Sequence, residues 1–269
     1  MGKIRRMERL VILTKLLTEH PSRLFSLGEF AANFDCAKST LSEDMALLRE
    51  TLEAWGLGTL ETLTGAAGGI RYRPSCPEHS VQASLTELAG LFCRPDRIIP
   101  GGFLYMSDVL FSPELMVKAG EVFFQRFVSL TPDFILTVET KGIPLAMMTA
   151  RAFNIPLVIA RQGSKVTEGS SVSINYLTGS SRRIQTMSMS RRALPSGARV
   201  LVIDDFMKAG GTARGLGDLA AEVGAAVVGT GVLIATAQPE EKLVEEYTAL
   251  LMLHEIDEVH KTIDIRPAG

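Results

Sequence analysis

Four mainly apolar runs without alternation constrain what this chain can fold into: DFILTV (133–138), PLVIA (156–160), RVLVI (199–203) and AAVVGTGVLI (225–234). A strand covered on one face alternates apolar and polar residues, whereas a run without alternation suits a strand buried on both faces, as in parallel sheets. Helical patterns lie between the runs. GIPLAMMTARAFN (142–154) and GTARGLGDLAAEVG (211–224) serve as crossover helices, so this part of the chain is predicted to be an α/β fold with a mainly parallel sheet. Ligands of such folds gather at the carboxyl ends of the strands. Between the second and third runs, SVSINYLTGSSRRIQTMSMS (171–190) alternates apolar and polar residues about a Thr-Gly-Ser-Ser tip, which predicts an antiparallel excursion or hairpin.

The third run ends in the stretch LVIDDFMKAGGTARG (201–215), where Asp204 and Asp205 are expected to emerge at a strand end. Phe206, Met207 and Lys208 follow. Ala209, Gly210, Gly211 and Thr212 then let backbone N–H groups converge on an anion, with a helix N-terminus and a hydroxyl to assist. Carboxylates beside such a cradle suit ribose hydroxyls, from which they accept, and would repel a second phosphate. A sugar phosphate is therefore the expected ligand. The other reading is an acidic pair binding Mg²⁺, as in receiver-like folds, with glycines that merely turn the chain. A second loop, ETKGIPLA (139–146), follows DFILTV at the same sheet edge. Its Gly142 permits close backbone approach and Lys141 suits a diphosphate, though alone it would read as an ordinary turn with a solvated lysine.

The first seventy residues have a different pattern. Met7, Leu10, Leu13 and Leu17 mark one helix, ended by His20-Pro21. SLGEFAANF opens on Ser26 with Glu29 three residues on, the spacing of a capping box, and places Leu27, Phe30, Ala31 and Phe34 on one face. A third helix carries Leu41, Met45, Leu48 and Leu52, with Ser39, Ser42, Glu43 and Arg49 opposite and Gly56 as its stop. GTLETLTGAAGGIRYRP (58–74) reads as a hairpin. Three helices and a hairpin are the winged-helix order, in which Lys38, Ser39 and Thr40 open the helix that enters a major groove. Lys3, Arg5 and Arg6 at the N-terminus and Arg71, Tyr72 and Arg73 in the wing would hold the DNA backbone. A helical protein-interaction module with solvated arginines fits the same pattern. RPSCPEHS (73–80) reads as a linker, dividing the chain into residues 1–73 and 74–269.

Composition adds limits. The apolar runs fall short of the eighteen or so residues of a membrane span, and no signal-peptide core follows the basic start. A cytoplasmic protein is expected, with Cys36, Cys76 and Cys93 as reduced thiols. The histidines His20, His79, His254 and His260 are scattered, so neither a protein-ligated metal nor a histidine nucleophile is expected. A net charge of −2 conceals a basic cluster at Arg182, Arg183, Arg191 and Arg192 that suits either DNA phosphates or solvent.

VIDDFMKAGGT resembles the phosphoribosyl pyrophosphate (PRPP) motif of type I phosphoribosyltransferases, and VETKGIP resembles their pyrophosphate loop. Together with the winged-helix-like start, PGGFLYMSD (100–108) and KVTEGSSVSINYLTGSSRRIQTMSMS (165–190), the whole chain is similar to the purine operon repressor family of Gram-positive bacteria. The resemblance implies a homodimeric regulator of purine synthesis and transport genes. By the same resemblance it would bind double-stranded operator DNA, and its transferase-like domain would sense PRPP with Mg²⁺ rather than catalyse. PRPP would relieve DNA binding and ppGpp would compete for its pocket; no resident cofactor is implied. On matching positions, Asp204 and Asp205 would take the ribose hydroxyls, Lys208 to Thr212 the 5′-phosphate, and Thr140, Lys141 and Gly142 the pyrophosphate. Arg161, Lys165 and Tyr176 would come from the loop that closes over the ligand. Ala209 stands where many active transferases have Thr, and a catalytically active purine phosphoribosyltransferase with an added N-terminal module is the alternative.

Overall fold

The structure, a computed structural model, describes residues 4–65, 68–163, 169–177 and 184–268. It divides into two compact units, Met1–Glu78 with Arg151–Asn154, and His79–Ala150 with Ile155–Gly269.

In the N-terminal unit, helices α1 (Arg6–Glu19), α2 (Leu27–Phe34) and α3 (Lys38–Ala54) precede the strands β1 (Thr59–Leu63) and β2 (Gly69–Arg73), which pair antiparallel. Ser26 begins α2 as its cap, but its hydroxyl accepts from the Gly28 N–H rather than from Glu29. Phe25, just upstream, exchanges two backbone hydrogen bonds with Ile70 at 2.9 Å and so adds a third, one-residue strand to the wing. Leu13, Leu17, Phe30, Phe34, Leu41, Met45, Leu48, Leu52, Leu60 and Ile70 form one core, each large side chain contributing about 2 kcal/mol by leaving water. The first helix departs from its expected stripe: Met7 is exposed and Arg9 is buried in its stead. Burial of Arg9 is sustained by Asp44 of α3, which accepts from Arg9 Nε at 2.8 Å and Arg6 Nε at 3.1 Å.

The expected linker is shorter than RPSCPEHS. Arg73 closes β2 and Glu78 already opens α4 (Glu78–Phe92), leaving residues 74–77 without regular structure. After α4 come a two-residue pair, β3 (Ile98–Ile99) and β4 (Phe103–Leu104), then α5 (Ser107–Leu110) and α6 (Pro113–Phe127). The sheet elements follow: β5 (Phe134–Val138), α7 (Ile143–Phe153), β6 (Leu157–Gln162), β7 (Ser171–Leu177), β8 (Ile184–Ser190), β9 (Arg199–Met207), α8 (Gly211–Ala221), β10 (Ala226–Thr236), β11 (Thr248–Asp257) and β12 (Thr262–Pro267).

The strand order is β12-β11-β10-β9-β5-β6-β8-β7. Its five central strands are mutually parallel, and both edges are antiparallel. All four apolar runs are central strands, as their lack of alternation requires, and β7 with β8 form the expected hairpin, whose tip lies outside the described residues. On one face, Leu136, Val138, Val158, Val200 and Val202 pack with Leu216 and Leu219 of α8.

Candidate functional site

The carboxyl ends of β5 and β9 lie side by side, and their loops build the site. β9 runs longer than its apolar run: Asp204 and Asp205 are its sixth and seventh residues, not a loop beyond it. Strand alternation separates their surroundings. Asp204 is only 5% exposed, while Asp205 is half-buried. Burial, reinforced by the charge of Asp205, pushes the Asp204 carboxyl well above the usual carboxylate range. Burial also raises Asp205, against which the nearby Lys141 ammonium acts. The Asp205 N–H donates to Asp204 Oδ1 at 2.9 Å, which turns that carboxylate back toward the strand.

Thr140, Lys141 and Gly142 follow β5, and the Glu139–Thr140 peptide is cis. Gly142 is there for lack of a side chain: a Cβ would come within 2.8 Å of Asp204 Oδ1 and 2.6 Å of Thr137 Oγ1. The loop therefore lies directly on Asp204. Beyond β9, Gly210 takes the left-handed conformation (φ 82°) as N-cap of α8, so the first N–H groups of this 11-residue helix open toward the loop. Lys208 is exposed, and Ala209 and Thr212 are half-buried.

Asp204 to Ala213 line a cavity of about 400 Å³ with Phe103, Val138, Glu139, Gln162, Tyr176 and Gln185; Thr140, Lys141 and Gly142 are not part of that lining. Asp204 to Thr212, including Phe206, Met207, Gly210 and Gly211, are thus brought together as expected. An adjoining cavity of about 630 Å³ holds Lys141 and shares Phe103, Asp205, Phe206 and Lys208. Tyr176 donates its hydroxyl to Gln185 Oε1 at 3.0 Å, and burial, with the charge of Asp204, raises its pKa. Arg161 reaches Glu139 at 3.5 Å, and Glu139 also accepts the Gln162 N–H at 2.7 Å. Lys165, Arg182 and Arg183 lie outside the described residues, while Arg191 and Arg192 are exposed just past β8. Phe103 was not singled out in the sequence as a site residue. Its signal is an aromatic directly after two glycines with positive φ (Gly101, 93°; Gly102, 70°), which deliver the ring, 63% exposed, to the cavity mouth.

Of the residues expected to meet DNA, some are exposed in the N-terminal unit and others are turned inward or bonded within it. Lys38, Ser39 and Ser42 are exposed on the first turns of α3, and Thr40 is half-buried. Arg5 is exposed, and Arg6 remains partly exposed while bonded to Asp44; Lys3 lies outside the described residues. Tyr72 is a correction: it is 8% exposed and donates its hydroxyl to the Leu57 carbonyl at 2.7 Å, because alternation along β2 turns it into the core. Arg71 and Arg73 face the opposite side, yet both donate to Glu61 Oε2 of β1, which draws that carboxyl down to about 2. Arg49 is likewise occupied, donating to the Leu60 carbonyl at 2.9 Å and Thr62 Oγ1 at 2.6 Å.

Comparison with known proteins matches each unit separately. Residues 5–74 match the family described as bacterial purine repressor, N-terminal, and residues 108–266 match the phosphoribosyl transferase domain. The chain is 46% identical over 264 residues, covering 98% of its length and 93% of the relative's, to the purine biosynthesis transcriptional repressor PurR of Bacillus subtilis (strain 168). It is 35% identical over 263 residues, 98% of this chain and 97% of the relative, to the purine biosynthesis transcriptional activator PurR of Lactococcus lactis subsp. lactis (strain IL1403). Among solved structures, adenine phosphoribosyltransferase from Rhodothermus marinus aligns with a TM-score of 0.54 at 26% identity, covering 64% of this chain and 99% of that one. A DNA-binding N-terminal unit joined to a phosphoribosyltransferase fold, matched end to end by such relatives, places this chain in the bacterial purine repressor (PurR) family of purine biosynthesis transcriptional regulators.

Proposed function

We propose that the chain represses purine biosynthesis and transport genes by binding operator DNA as a homodimer, and that PRPP, bound in the cavity at the ends of β5 and β9, relieves that binding. One observation carries the reading: the 400 Å³ cavity holds a carboxylate pair and a glycine-opened helix N-terminus side by side, in a chain whose other unit is a DNA-binding domain. The carboxylates accept from ribose hydroxyls, the N–H groups of residues 208–212 hold the 5′-phosphate, and Lys141 meets the diphosphate. The sign of regulation follows the 46% identical relative, whose name is that of a repressor.

Magnesium would enter with the ligand. Among the described residues no three or more His, Cys, Asp or Glu side chains gather to hold a metal, and the diphosphate, whose charge the cation would offset, would supply its ligands. The alarmone ppGpp, also a phosphorylated ribose, would compete for the same carboxylates and cradle.

The cavity serves as a sensor in this reading. The 630 Å³ space beside Asp205 and Lys141 favours a second reading, an active purine phosphoribosyltransferase, because it leaves room for a base. Operator binding titrated with PRPP, in wild type and in Asp204→Ala and Asp205→Ala, tests the first reading. Wild type should release DNA as PRPP rises, and the variants should hold it; variants as sensitive as wild type would remove the site assignment. PRPP-dependent turnover of a purine base to its nucleotide would establish the second.

A further inference from the structure

The loop of residues 208–212 is held from behind by the segment that follows β10. Lys242 is half-buried there. It directs its ammonium to three backbone carbonyls, those of Lys208 and Thr236 at 2.7 Å each and Pro239 at 2.5 Å. It also reaches Thr236 Oγ1 at 3.4 Å, so all three of its N–H groups are engaged. One residue on, the Leu243 N–H donates to the Ala209 carbonyl at 2.8 Å. Gly210 completes the contact: a Cβ there would come within 3.2 Å of the Leu243 nitrogen. Lys242 itself lies outside the lining of both cavities.

Peptide planarity makes these contacts consequential. In a trans peptide the C=O and N–H of one plane point in opposite directions, and the peptides joining Lys208, Ala209 and Gly210 are trans. A Lys208 carbonyl drawn back to Lys242 therefore turns the Ala209 N–H forward, and an Ala209 carbonyl drawn back to Leu243 turns the Gly210 N–H forward. Ala209 and Gly210 both line the cavity. A cation on the carbonyl also polarises its peptide, which strengthens the N–H on the far side as a donor.

We propose that Lys242 is a positioning residue of the phosphate cradle: without touching the ligand, it aims and strengthens the N–H groups of residues 209 and 210 that bind the phosphate of a sugar phosphate. The inference rests on the phosphate-cradle reading above. It assigns to a lysine some thirty residues downstream a share in anion binding that Lys208, with its exposed side chain, does not account for.

Ribose 5-phosphate is the probe, because it carries the cradle's phosphate without the diphosphate. Full-length wild type, Lys242→Met, Lys242→Gln and Lys242→Arg are titrated calorimetrically, while the Ala209 and Gly210 amide resonances are followed by NMR. Wild type should bind with both amides moving downfield. Met and Gln at 242 should weaken binding about tenfold or more, the size of a lost charge-assisted hydrogen bond, and blunt both amide shifts. Arg, which keeps charge and donors, should recover most of the affinity. Should Lys242→Met fail to fold, Lys242→Gln carries the same comparison. Equal affinity and equal amide shifts in wild type and Lys242→Gln overturn the role of Lys242. Failure of wild type itself to bind ribose 5-phosphate, with its amides unmoved, overturns the cradle reading instead.

Discussion

Asp204 shows how a proposed ligand site can work against the fold that carries it. Burial and Asp205 raise its carboxyl pKa far above the value of 3.8 that an unfolded chain would give it. A carboxyl shifted this way stabilises the folded state below that ordinary value, and the contribution is lost as pH rises through the elevated pKa. Near neutrality the ligand-free protein thus carries a penalty that a bound donor would relieve. Asp204→Asn is predicted to raise the melting temperature at neutral pH and to flatten its decline between acid and neutral pH, while abolishing the response to PRPP. Scanning calorimetry across that range checks it; an unchanged melting temperature and slope would show that the buried charge costs nothing. Residue type alone made the acid pair, Gly142 and the Gly-Gly-Thr turn legible in the sequence, because each has chemistry or sterics that few other residues supply. The partners of Arg49, Arg71 and Arg73 were not legible. Composition shows a guanidinium but not the carboxylate or carbonyl that folding lays across from it.

Elements are legible through their patterns. The continuous runs became central strands and the alternating 171–190 stretch became a hairpin, since in both the burial pattern is written in every residue. Helix α6 carries the same kind of signal: Met116, Ala119, Gly120, Phe123 and Phe127 are buried at three- and four-residue steps, with Glu114 before them and Lys118, Glu121 and Gln125 between them. The wing offers a prediction at this scale. Glu61 neutralises part of the charge of Arg71 and Arg73, holding its own pKa at about 2 against an ordinary 4.5. Its contribution to stability is therefore present above 4.5 and lost as pH falls toward 2. Glu61→Gln should free a guanidinium for DNA phosphate, tightening duplex binding and steepening the log–log salt dependence by about 1. Titrations at several salt concentrations read both; an unchanged slope would mean the wing does not meet DNA. The pairing of α1 with α3 makes a second. Asp44 is 1% exposed between Arg6 and Arg9. Asp44→Ala leaves the buried Arg9 without its counter-charge and should cost about 3 kcal/mol in denaturant unfolding of the N-terminal unit. Arg9→Met with Asp44→Leu should recover most of that loss, because the pair is removed together.

At the scale of the whole molecule, a sensor needs only a free-energy coupling between its two sites. An effector shifts DNA affinity no further than its own unequal affinity for the DNA-free and DNA-bound protein allows. The coupling is reciprocal: if saturating PRPP weakens operator binding by some factor, saturating operator must weaken PRPP binding by the same factor, typically about 5- to 150-fold for allosteric proteins. Calorimetric titration of PRPP into free protein and into the operator complex, set beside operator titrations with and without PRPP, measures the factor twice. The two values should agree for wild type and both fall to one for Asp205→Ala. An operator affinity that drops with PRPP while PRPP affinity ignores the operator would mean that PRPP acts somewhere other than through one reversible site, for instance by consumption in a reaction, and the transferase reading would then take precedence over the sensor.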